Sequence, residues 1–217
     1  MITPHLVIGN KNYSSWSLRP WIAMRVAGIE FSEEVIALDQ PDTKTRIAAR
    51  SPAGRVPVLV HGEIVVWESL AILEYLAEVF RDARLWPAAP AARAMARAVA
   101  SEMHAGFQAL RKHCPMNMRR PRAALDLPPE VEADVRRIEE IWRSCREGHG
   151  ADGPFLFGRF TAADAMFAPV VSRFEVYAVP VSQASRDYMA AVMALPAWKA
   201  WKAAGAAETW VIPADEV

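Results

Sequence analysis

The chain has 217 residues, 25 Lys+Arg against 25 Asp+Glu, and therefore zero formal net charge. Hydrophobic residues make up 53% and charged residues 23%, a globular composition in a chain long enough to bury roughly 70% of its unfolded surface without a disulfide or metal staple. The balanced charge removes any global attraction to nucleic acid or to an anionic membrane.

The first residues alternate between strand and helix signals. Leu6-Val7-Ile8 reads as a short buried strand ending at Gly9-Asn10. Residues 18–28 read as a helix on the recurrence of Leu18, Ile22 and Val26, with Gly28 as its stop. Glu33 to Leu38 is a weaker strand. Val56 to Val60 and Ile64 to Trp67 form a hairpin around His61-Gly62-Glu63, and Ser69 opens a helix with Leu70, Leu73, Leu76 and Ala77 on one face. This order describes a compact α/β unit rather than a doubly wound sheet. Leu85-Trp86-Pro87-Ala88-Ala89-Pro90 breaks the pattern as a linker.

Beyond it the strand signal disappears. Residues 91–112 read as one Ala-rich helix with Met95, Val99, Met103, Phe107 and Leu110 on one side. Pro128-Pro129 precedes a long helix whose Val131, Val135, Ile138, Trp142 and Cys145 follow i, i+4, i+7, i+11, i+14 spacing. Thr161-Ala-Ala-Asp164 is a capping box that starts another helix, and shorter helices cover 183–194 and 196–204. The expected division is residues 1–84, a linker at 85–90, and an all-helical domain over 91–217.

No uncharged apolar stretch reaches the about 18 residues that cross a bilayer. The N-terminus has no basic region followed by a long apolar run, so no signal peptide is read. Cys114 and Cys145 are too few for a disulfide framework and fit a reducing compartment. A cytoplasmic protein with no nucleic-acid or membrane partner is expected. The histidines at 5, 61, 104, 113 and 149 lack metal-ligand spacing, and the cysteines form no CxxC, so no metal is expected.

Three segments carry candidate chemistry. Tyr13-Ser14-Ser15-Trp16-Ser17-Leu18-Arg19-Pro20 lies between the first strand and first helix. Proline suits a helix's first turn, so Pro20 puts the helix start near Ser17. Ser14 and Ser15 then stand just before an N-terminus that favours an anion, where a hydroxyl can donate to a thiolate or one serine can simply cap the helix. In Arg55-Val56-Pro57-Val58 a proline interrupts an apolar strand. It marks either an ordinary edge or a cis peptide that offers Val56 to an extended peptide. At Glu68-Ser69, Ser69 reads as an N-cap, or as one part of a site for a carboxylate and an ammonium.

Together, in this order and with the capping box after Gly158, these segments resemble the glutathione S-transferase superfamily over essentially the whole chain. Ser14-Ser15-Trp16-Ser17-Leu18-Arg19 is especially similar to the zeta-class signature Ser-Ser-Cys-Ser-aromatic-Arg, and the nearest resemblance is to zeta-like bacterial members. The chain departs from that signature at Trp16 and Leu18. The resemblance implies a thioredoxin-like N-terminal domain followed by an α-helical domain. It implies glutathione as co-substrate, a small, mostly apolar electrophile, and a homodimer built on the first helices of the helical domain. Position by position, it implies that Ser14, or its neighbour Ser15, holds the sulfur and that Val56 and cis Pro57 pair with the cysteinyl backbone. Glu68 and Ser69 would bind the γ-glutamyl end, and Arg55 would lie near the glycyl carboxylate.

Trp16, His104, Phe107 and Arg111 are candidates for the co-substrate pocket, the last three sharing one helix face. Trp21 also flanks the serine segment. Arg119, Arg120 and Arg122 read as a solvated basic loop or as an anion-attracting rim. The leading expectation is a glutathione transferase. The rivals are a zeta-type glutathione-dependent cis–trans isomerase and a non-catalytic glutathione-binding or regulatory protein with the same fold.

Overall fold

The computed structural model describes residues 2–217. Strand β1 (His5–Ile8) pairs in parallel with β2 (Ser32–Val35) and antiparallel with β3 (Val58–His61), which pairs antiparallel with β4 (Ile64–Trp67). The sheet order is β2-β1-β3-β4. Successive strand residues face opposite sides, and both sides of β1 are covered. Leu6 and Ile8 join Leu18, Ile22, Leu73 and Leu76 in the main core. Val7 joins Ile36, Ile47 and Val58 in a second cluster. Thus α1 (Ser15–Val26) and α3 (Ser69–Val79) lie on one face, while α2 (Thr43–Ala48), through Ile47, covers the other. This mixed sheet with helices on both faces is the thioredoxin-like arrangement. Helix α2 has no counterpart in the sequence reading, because one buried apolar anchor creates no period.

Helix α1 starts at Ser15, not near Ser17, and Pro20 lies inside it. The ring removes the N–H that would bond the Trp16 carbonyl, a loss borne by a helix whose residues 17–24 are all buried. Its end is a Schellman turn: Ile29 N–H donates to Met24 O (2.9 Å) and Gly28 N–H to Arg25 O (3.3 Å). Gly28 has φ +67°, a conformation that glycine adopts without steric cost.

The remaining helices are α4 (Pro90–Ala105), α5 (Gln108–His113), α6 (Pro129–His149), α7 (Ala162–Val176), α8 (Gln183–Ala194) and α9 (Pro196–Ala207). The single helix expected over 91–112 is broken. At Gly106 a Cβ would stand 2.9 Å from Glu102 O, and Phe107 turns to φ +61°. His104 and Arg111 therefore do not share one helix face. Val99 and Met103 are buried, and half-buried Met95 packs on the same core. The chain satisfies that stripe internally against α7 and α6, so it no longer argues for a partner.

Linker residues Leu85 and Trp86 are also buried. Leu85 O accepts from Ala162 N–H at 2.8 Å, and the Trp86 indole N–H donates to Glu74 at 3.1 Å. Trp142 anchors the helical core, with ring centroids 4.7 Å from Tyr188, 5.5 Å from Phe174 and 6.0 Å from Phe167. Both cysteines are free and buried. Burial pushes Cys114 up to about 11 and Cys145 up to about 12, which makes both inert as thiolates. Among the described residues no helix is long and apolar enough to cross a membrane.

Candidate functional site

A cleft of about 250 Å³ is lined by Trp16, Arg55, Val56, Pro57, Trp67, Glu68, Ser69 and His104. A larger depression of about 760 Å³, lined by Arg81, Arg93 and Arg97 among others, holds none of the three segments. The smaller cleft brings all three together, because the start of α1, the turn before β3 and the start of α3 all lie at one end of the sheet.

The Val56–Pro57 peptide is cis, and β3 enters the ladder only at Val58. The peptide groups of Val56 are therefore outside the sheet. Ser69 is the first residue of α3 and not its cap. Glu68 takes the capping position with φ +67° and makes no side-chain cap bond. A non-glycine residue held at positive φ costs about 1–3 kcal/mol, and such residues cluster at functional sites. Arg55 is exposed at the mouth, its N–H donating to Ser51 Oγ at 3.2 Å.

Ser14 holds the capping position of α1, yet its hydroxyl caps nothing. It donates to Ser17 Oγ at 2.7 Å, and Ser17 Oγ accepts from Gly9 N–H at 3.0 Å. Ser14 and Ser15 are each 7% exposed. Neither lines the cleft, which their neighbour Trp16 reaches.

Trp16 is flanked by two guanidinium groups and an imidazole. The Arg19 guanidinium lies 4.0 Å from its ring centroid, Arg111 4.7 Å, and the His104 ring 5.2 Å at an edge. Arg111 also donates to the carbonyls of Gly106 (3.0 Å) and Met103, closing the end of α4. Phe107 packs into the core and does not line the cleft. Trp21 is likewise buried, against Trp201 and Phe31. His104 Nε2 is 3.6 Å from Glu68. Burial, then Arg19, pulls the histidine below its usual range against the opposing pull of Glu68.

Arg19 is the residue that sequence reasoning left without a role. It is fully buried, its Nη1 reaches Ser69 Oγ at 3.5 Å, and Nε and Nη2 have no hydrogen-bond partner among the described residues. Burial, then the nearby Arg111 and Arg173, pushes its guanidinium well below the usual range. An unpaired buried cation is costly, and an anion at Ser69 would relieve that cost. The sequence signal was an arginine within an otherwise buried helix.

Arg119 and Arg120 are neither a free loop nor a rim. Arg119 binds Tyr13, Trp210 and Glu216, and Arg120 binds the carbonyls of Val176 and Val217. Arg122 pairs with Glu175 at 3.5 Å.

The fold and cleft define a thioredoxin-like domain joined to a helical domain. The family description "Glutathione S-transferase, N-terminal domain" matches residues 13–79, and "Glutathione S-transferase, C-terminal domain" matches residues 128–204. The chain belongs to the glutathione S-transferase superfamily. It is 36% identical over 97 residues to a "Probable maleylacetoacetate isomerase" of Caenorhabditis elegans, covering 45% of each chain. It is 27% identical over 173 residues to "Protein IN2-1" of Zea mays, covering 76% of this chain and 63% of that one. The chain thus spans about half to under two thirds of the length of these curated relatives. Among solved structures, a Burkholderia glutathione transferase homolog with bound glutathione superposes with TM-score 0.71 at 21% identity, covering 94% of this chain and 98% of that one. The theta class enzyme of Xanthomonas axonopodis pv. citri superposes with TM-score 0.62 at 22% identity, covering 92% and 97%. These two likenesses establish the fold.

Proposed function

We propose that this chain is a glutathione transferase that adds the glutathione thiolate to small electrophiles. The observation that carries this reading is the convergence of the cis Val56–Pro57 turn, the strained Glu68-Ser69 helix start and the N-terminus of α1 on one cleft. Val56 pairs with the cysteinyl backbone of glutathione. Ser69, backed by the unpaired Arg19, takes the γ-glutamyl carboxylate, Glu68 takes the ammonium, and Arg55 lies by the glycyl carboxylate. The Ser14 hydroxyl turns from Ser17 to the sulfur, with Ser15 as the alternative donor. Trp16 and His104 border the space left for the electrophile. The glutathione bound to the Burkholderia homolog supports the co-substrate.

A free thiol with a pKa near 8.5 is only a few per cent ionised at pH 7. A hydroxyl donor beside a helix N-terminus lowers it by about 2 units, or about 2.7 kcal/mol. Holding both reactants in one cleft supplies the rest through proximity.

Titration of glutathione into Glu68→Gln plus Ser69→Ala tests the site. Charge-assisted bonds contribute roughly 1.5–3 kcal/mol each, so affinity is expected to fall at least about tenfold. The thiol pKa of what still binds should stay nearly unchanged, because these residues grip the far end of the peptide. Unchanged affinity with a lowered melting point would reduce the pair to a helix start and sink the assignment.

A second reading, a glutathione-dependent cis–trans isomerase, is favoured by the 36% identity with the Caenorhabditis elegans protein. Addition and release of the thiolate at a double bond would permit rotation there.

We also propose the domain limits 1–84 and 91–217, supported by α3 ending at Val79 and α4 starting at Pro90, and a cytoplasmic location. A homodimer is supported by the apolar edge strand β4, where Ile64 and Trp67 are 50% and 41% exposed. A 24.1 kDa species in sedimentation at micromolar concentration would count against it.

A further inference from the structure

The loop between β1 and α1, which leads into Ser14, is held from the far end of the chain. Glu208 follows α9, and its two carboxylate oxygens accept from consecutive main-chain N–H groups, Lys11 at 2.7 Å and Asn12 at 3.0 Å. Both bonds come from backbone amides rather than from a side-chain cation. Just before Glu208 in α9, Gly205 approaches so closely that a Cβ would stand 3.0 Å from Asn12 N and 3.0 Å from Lys11 C. Helix α9 therefore rests on the same peptide that the carboxylate grips.

The neighbouring contacts lock the rest of the segment. Asn12 is fully buried. Its carbonyl accepts from Met118 N–H at 3.1 Å and its Oδ1 from Arg119 N–H at 2.8 Å, while its Nδ2 donates to Asn117 at 3.0 Å. The Tyr13 hydroxyl donates to Glu216 and accepts from Arg119 at 2.8 Å. Ser14 N–H donates to Asn10 O at 2.8 Å, so Lys11 and Asn12 lie inside the very turn that sets Ser14.

We propose that Glu208 is a positioning residue for the thiolate site, fixing the Lys11-Asn12 peptide so that Ser14 and the start of α1 meet the glutathione sulfur. This rests on the glutathione thiolate site proposed above. A carboxylate that engages two successive amides fixes both the place and the tilt of a peptide, as one contact does not. A shift of about 1 Å in a reacting group can cost on the order of a hundredfold in rate, so a loosened loop is read in catalysis before it is read in binding. Glu208 touches neither the Val56 turn nor Ser69, where the peptide body of glutathione is held.

The test compares Glu208→Gln, Ser14→Ala and the unaltered protein. The readouts are the ultraviolet thiolate band of the glutathione complex against pH, glutathione affinity by titration, and kcat with a nitro-activated aryl chloride. Glutamine keeps the shape but turns a donor toward an amide N–H. Glu208→Gln is expected to raise the bound thiol's pKa by about one unit and lower kcat about tenfold, with glutathione affinity held within about threefold. Gly205→Ala pushes on the same peptide from the helix and should give the same split; it serves if the glutamine variant does not fold. A lowered melting point with thiol pKa and kcat unchanged would overturn the proposal, whatever Ser14→Ala does. If Ser14→Ala is silent while Glu208→Gln raises the thiol pKa, the positioning role stands and the serine reading falls.

Discussion

Replacing Ser14 by alanine is expected to lower the rate of glutathione conjugation by roughly one to three orders of magnitude while leaving the melting point nearly unchanged, because one positioned donor to a developing anion is worth about that much. The hydroxyl caps no helix end, and its partner is Ser17 Oγ at 2.7 Å, so its loss leaves only that oxygen, which still accepts from Gly9 N–H at 3.0 Å. Steady-state rates of Ser14→Ala and Ser15→Ala, measured side by side, assign the donor. A crippled Ser15→Ala beside a silent Ser14→Ala would move the role to the neighbour. Two silent variants would end the hydroxyl mechanism.

The largest expected loss of stability is at Asp164. Its carboxylate accepts from Leu156 N–H (3.0 Å), Thr161 N–H (2.8 Å) and Thr161 Oγ1 (3.0 Å), and the side chain is fully buried. Burial pushes it up to about 6 against the pull of those bonds, so at pH 7.5 it is still the ionised acceptor. Asp164→Ala removes the capping box and strands buried donors, at a cost of about 3 kcal/mol. For a chain of this size that lowers the melting temperature by roughly 6–12 °C. A shift under about 2 °C at pH 7.5 would show that the loop before α7 re-forms its bonds without the carboxylate.

Local punctuation made much of this molecule legible from its sequence. Gly62 in the hairpin, Thr161 with Asp164 in a capping box, Pro128-Pro129 at the start of α6 and Gly28 after α1 each act within a few residues, and each marks a boundary that the structure has. The apolar spacing of Val131, Val135, Ile138, Trp142 and Cys145 is likewise the buried face of α6.

The failures came where local signals mislead. The apolar period of Met103, Phe107 and Leu110 runs straight through the break at Gly106, so periodicity alone joins α4 to α5. Proline suits a helix's first turn, where its missing N–H is not needed, so Pro20 alone points to a helix start near Ser17. Here α1 is held on all sides by α3, α7, α9 and the sheet, and that packing tolerates the missing bond. Of the site, the three segments were visible because each carries an unusual local pattern. Arg19 was visible only as a letter in a motif, since its lack of a partner is a property of the fold. Glu208 was invisible, because nothing in a sequence pairs it with Lys11 and Asn12.

The pKa of the glutathione thiol in the complex with the unaltered protein bears most directly on the whole account. The thiolate band of the binary complex, followed against pH at saturating protein, is expected to give a midpoint about 2 units below the free thiol's value near 8.5. A bound thiol that titrates like free glutathione, or no saturable binding at all, would contradict the claim that this cleft makes and holds a thiolate.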